Sequence, residues 1–130
     1  MKNKKIFISF LVFFAIVLLS NICMAKDLDR INEYTITVDP RSNGTLDLNY
    51  HLEWEVLDSE SEGPLEWVKI GIPNANVSGI TAISNNIQKI SYYQDSGDYI
   101  RIDFKESYEQ GSVLDIDFKF NQSYMYTLSS

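Results

Sequence analysis

Most of this chain reads as an all-β fold, an immunoglobulin-like antiparallel β-sandwich of about seven strands. Three observations predict it. Apolar and polar residues alternate with a period of two through segment after segment. Clusters of Pro, Gly, Asn and Asp punctuate those segments at steady intervals. No helical spacing of apolar residues recurs past residue 25.

Residues 1–25 stand apart. Lys2, Lys4 and Lys5 make a basic start, Ile6 to Leu19 run apolar apart from Ser9, and Cys23-Met24-Ala25 precedes Lys26. This is the architecture of a secretory signal peptide, helical until it is removed. The fourteen positions from Ile6 to Leu19 fall short of the roughly 20 that a spanning helix needs. Ile22 to Met24 could lengthen them, so an uncleaved membrane anchor is the competing reading. Ile22, directly before Cys23, is a poor fit to a lipoprotein leader, which has a small residue there.

The remaining 105 residues, 26–130, form one domain. Tyr34, Ile36 and Val38 alternate with Glu33, Thr35 and Thr37, and Asp39 to Gly44 supply a turn. From Gly44 to Leu57 the alternation is cleanest. Leu46, Leu48, Tyr50, Leu52, Trp54 and Val56 share one parity, and Asp47, Asn49, His51, Glu53 and Glu55 the other. The two runs should pair as a hairpin. After the acidic loop Asp58 to Gly63, Leu65 to Ile72 is apolar on nearly both parities, which predicts a strand buried on both faces. Val77 to Ile83 is a weaker strand with a bulge expected at Gly79. Ile87 to Tyr93 and the strand opening at Tyr99 flank the Gln94–Asp98 turn as a second hairpin. Leu114, Ile116, Phe118 and Phe120 form the inward row of the last clear strand, and Tyr124 to Leu128 could add a short edge.

Charge narrows the partners. Three of the eleven basic residues lie in the leader and all eighteen acidic ones lie outside it, so residues 26–130 carry a net −10. Such a surface repels nucleic acid and anionic lipid. Membrane contact is expected only through an uncleaved leader or a further C-terminal region. Cys23 is the sole cysteine and His51 the sole histidine. The domain must therefore be stable without a disulfide, and neither a cysteine nor a multi-histidine metal site can be built. No cofactor motif is present.

Candidate sites are few. Asp58, Glu60 and Glu62, with Glu66 nearby, could offer a hard cation such as calcium several oxygens, but no EF-hand spacing is present and a solvated polar loop explains them better. Tyr92 and Tyr93 are neighbours, so one ring must face outward. With Tyr99 across the turn they could form a ligand-binding aromatic patch, or simply a cross-strand pair that stabilises the sheet. Trp54 and Trp67 are expected in the core. Asp115 and Asp117 share a strand face, as a glycosidase's carboxylates could, but a sandwich of short loops rarely has the cleft that a hydrolase needs. His51 lies on an outer face with no signalled nucleophile. Asn43-Gly44-Thr45, Asn76-Val77-Ser78 and Asn121-Gln122-Ser123 match a glycosylation acceptor, a triplet common by chance. No catalytic residue is assigned.

Ile31 to Ile36, the Gly44-Thr45-Leu46 opening, the Trp54 strand and the Gly63-Pro64-Leu65 turn together resemble a bacterial ectodomain: the N-terminal β-sandwich of uncharacterised exported or predicted membrane proteins of Gram-positive bacteria, a domain of unknown function. The resemblance spans about Ile31 to Phe120. It implies a sandwich outside the membrane and carries over no activity and no site residue. Members usually continue into a membrane segment, so the chain is either freely secreted or the N-terminal part of a longer protein. The resulting expectation is a secreted or cell-surface module, not an enzyme, that binds a protein or a glycan at the cell surface. The alternative is a small carbohydrate-binding module that uses Tyr92, Tyr93 and Tyr99.

Overall fold

The computed structural model describes residues 27–125; the predicted leader, and the predicted final strand from residue 126 onward, lie outside them. Seven strands follow in order, with no helix among the described residues: β1 (Asp29–Pro40), β2 (Leu46–Val56), β3 (Leu65–Gly71), β4 (Val77–Ala82), β5 (Ile87–Gln94), β6 (Asp98–Tyr108) and β7 (Val113–Gln122). Tyr124 and Met125 belong to no strand.

The turn chemistry places the hairpins. Between β1 and β2, the Asn43 side chain accepts from the amide and hydroxyl of Thr45, Gly44 takes a positive φ of 88°, and the Arg41 amide donates to the Thr45 carbonyl. Between β5 and β6, the Asp95 amide donates to the Gly97 carbonyl over Ser96, which sits in the left-handed region at φ 53°. The bulge expected at Gly79 is present: the β4–β7 register shifts between Ser78 and Thr81, and Gly79 has φ 62°.

Two antiparallel sheets result, one ordered β1-β2-β7-β4 and the other β3-β6-β5. This is the predicted sandwich, with the four-plus-three division of an immunoglobulin constant domain. Its strand order matches that arrangement except that β5 and β7 have exchanged places. The tight Asp95–Gly97 turn keeps β5 beside β6, and β7 crosses back to lie between β2 and β4.

The core lies between the sheets. Leu48, Tyr50, Leu52 and Val56 of β2 and Leu114, Ile116, Phe118 and Phe120 of β7 meet Val68 and Ile70 of β3, Ile87 of β5, and Ile100, Ile102 and Phe104 of β6. Tyr50 stacks on Phe118 at 4.9 Å, and Phe118 on Phe120 at 6.2 Å. Gln122, fully buried, ends the β7 row; its amide donates to the Asn74 side chain and to the carbonyls of Asn76 and Ser123, which ties the β3–β4 connection to the sheet.

Two expectations are corrected, and one strand stays uncovered. Strand β3 is buried on one face only, through Val68 and Ile70, because its other face looks away from the partner sheet. Trp67 is on that outer face and is 39% exposed, so it is no core residue. Trp54 does pack against the core, half-buried. Finally, the inward parity of β1 does not bury it. Tyr34, Ile36 and Val38 pair with Leu52, Tyr50 and Leu48, so they share the core-side face, yet they remain exposed. The opposing sheet has three strands where this one has four, and it does not reach beneath β1.

Candidate functional site

Strand parity builds a polar-aromatic surface on the outside of the three-stranded sheet. Val68, Ile70, Ile100 and Ile102 point to the core, so their neighbours in sequence must point out. The register then aligns three rows: Trp67, Asp103 and Lys89; Lys69, Arg101 and Ser91; Gly71, Tyr99 and Tyr93. Arg101 is the hub. Its guanidinium lies 4.1 Å from the ring centre of Trp67 and 5.6 Å from that of Tyr93, and the two rings meet edge-on at 6.1 Å. Its Nε and Nη2 donate to the Asp103 carboxylate at 3.0–3.3 Å, a bond that also raises the pKa of the guanidinium. Beside it, Lys69 Nζ sits 4.5 Å over the Tyr99 ring and bonds Asp95 at 2.9 Å, which raises the lysine's pKa.

Of the three tyrosines singled out by sequence, Tyr93 and Tyr99 are direct cross-strand partners on this face. Tyr92 is turned away from them: it pairs with Ile100 on the core side, half-buried, and its hydroxyl donates to Asp98, which raises the phenol's pKa. Sequence reasoning missed Trp67 and Arg101 as members of the surface. The signal was available, since Trp67 shares its parity with Lys69 and Gly71 while Val68 and Ile70 hold the other.

The calcium candidates do not converge. Asp58 is buried, and its carboxylate accepts from the amides of Glu60 and Ser61 and from the Ser61 hydroxyl. Those bonds shape the loop, in which Glu60 and Glu62 are exposed. Among the described residues, no three His, Cys, Asp or Glu side chains are grouped as a metal would require.

On the outer face of the four-stranded sheet, His51 stands between carboxylates. Its Nδ1 donates to Asp117 at 2.6 Å, and its Nε2 lies 3.6 Å from Glu33. The Asp117 bond, aided by the charges of Asp117, Glu33 and Asp115, raises the imidazole's pKa above its usual 6.5. The Ser84 hydroxyl accepts from the Asp117 amide instead of facing the ring, so these groups make no nucleophile–base pair.

No family model, curated protein or solved structure matches this chain.

Proposed function

We propose that this chain is a non-enzymatic interaction module acting outside the cell, and that it binds a protein partner through the outer face of the β3-β6-β5 sheet. The leader-like residues 1–25 and the resemblance to Gram-positive ectodomains support the location. One observation carries the binding reading: Arg101 stacked on Trp67 and Tyr93 and held by Asp103. Trp, Tyr and Arg are the residues that dominate binding energy at protein interfaces, and a side chain fixed before binding loses little entropy on contact. Lys69, Lys89 and Arg101 also gather on this face three of the eight basic residues of an otherwise acidic domain. Asp103 and Asp95 pair with two of them, so the face is mixed in sign and suits a partner that is mixed as well.

A sugar platform fits less well. Sugars stack on open ring faces, and here Arg101 already lies over Trp67 and Lys69 over Tyr99.

The test immobilises wild-type, Arg101→Ala and Trp67→Ala chains and presents protein and glycan fractions of the producing cell's surface. Each truncation should weaken retention of a protein ligand by roughly 30-fold or more, the loss expected of an interface hot spot. Retention of a glycan that depends on Tyr93 would favour the carbohydrate-binding alternative. Turnover of any surface polymer would overturn the non-enzymatic reading.

A further inference from the structure

We propose that β1 is a dimerisation strand: two copies of this chain pair their β1 edges antiparallel, fusing two four-stranded sheets into one of eight. The first observation is the uncovered face. Ile31, Tyr34, Ile36 and Val38 are each 42–51% exposed, and all four lie on the core-side face of the sheet. The bulge between Ile31 and Glu33 is what brings Ile31 into that row, because it reverses the parity of the strand there. The second observation is the edge. β1 is the longest strand, with twelve residues, and among the described strands only β2 pairs with it. The guards it has, a bulge at Ile31/Glu33 and Pro40, stand at its two ends, and the regular part between them, Glu33–Val38, contains neither lysine nor proline. The opposite edge of the same sheet, β4, is six residues long and bulged at Gly79, a form that resists pairing.

The occupant is a second copy because β1 is complementary to itself. A two-fold axis at Thr35 sets Tyr34 opposite Ile36, Thr35 opposite Thr35 and Glu33 opposite Thr37. Aromatic with β-branched, and threonine with threonine, are pairs that stabilise antiparallel strands. Past the bulge the register steps by one, which sets Arg30 opposite Asp39 of the other copy and joins opposite charges. Moving the axis to Ile36 would instead oppose Glu33 and Asp39, two carboxylates. The charges therefore favour the Thr35 axis over the Ile36 one. Since the pairing consumes the same edge on both copies, it closes at two and does not propagate.

Sedimentation velocity on the full chain, secreted from an exporting host, tests this from low micromolar to near-millimolar concentration. The expected result is a concentration-dependent species of twice the chain mass. Ile36→Lys should abolish it, since an exposed charge at the centre of the pairing stops strand addition. The same variant should keep the wild-type melting temperature when both are monomeric, because Ile36 is outside the core. Arg101→Ala should dimerise like wild type, which separates this surface from the proposed partner-binding face. A wild-type chain that stays monomeric throughout, whether β1 is bare or covered by residues before Asp27, would overturn the proposal. So would a dimer that survives Ile36→Lys.

Discussion

His51 shows how much one residue's surroundings alter its chemistry. It is the only histidine, so its proton NMR titration can be read without ambiguity. Hydrogen-bonded to Asp117 and facing Glu33, it should titrate above 6.5, and Asp117→Asn should bring it back down toward that value. The sign for stability follows from the raised pKa. What the charged ring contributes is fully present below 6.5 and is lost as pH rises through the folded-state value. Denaturation midpoints of wild type and Asp117→Asn should therefore differ most below pH 6.5 and converge once pH has risen past the folded-state value. The ring is partly solvated, so the difference is small. Core residues act on a larger scale. Phe118 is wholly buried between Tyr50 and Phe120, and Phe118→Ala should cost about 3–5 kcal/mol in chemical denaturation.

At the level of elements, the turns and bulges hold the register. Gly111, in the β6–β7 connection, has φ 92°, and its amide donates to the Val56 carbonyl. Nothing would crowd an added Cβ there, so Gly111→Ala would suffer only the left-handed backbone, a loss of about 1–2 kcal/mol measurable by thermal melting. Strand existence was legible because alternation reports a one-sided face directly: β2, β6 and β7 bury the rows that their parity predicts. Two strands depart from that pattern, each for its own reason. In β3, Trp67 counted as apolar and made both faces look buried, though Lys69 and Gly71 on its side mark that side as outward. In β1, parity named the correct face but could not reveal that nothing lies beneath it. The patch was half legible. Tyr93 and Tyr99 followed from the hairpin, but Trp67 and Arg101 join them only through the β3–β6 pairing, which connects residues some thirty apart in sequence.

For the whole molecule, the decisive features are one shared core and a strong negative charge. Side chains from both sheets pack in a single cluster, so the domain should unfold in one cooperative step, with coincident transitions by near- and far-UV circular dichroism. Residues 26–130 repel themselves electrostatically at net −10, and their exposed ion pairs, such as Lys69–Asp95, contribute little. Raising sodium chloride should therefore raise the melting temperature, because screening relieves more repulsion than attraction. A reductant should leave it unchanged, since residues 26–130 contain no cysteine.

Residue order alone was enough to establish that residues 26–130 are built of strands, where those strands turn, and which side of most of them is oily. These are local properties, written in a two-residue period and in the φ preferences of Gly, Asn and Pro. Only the tertiary structure decided that β7 crosses back beside β2, that β1 overhangs a narrower sheet, and that Arg101 finds Trp67 and Tyr93. Those outcomes depend on which strands become neighbours, and alternation marks a strand's faces without specifying what its edges will meet.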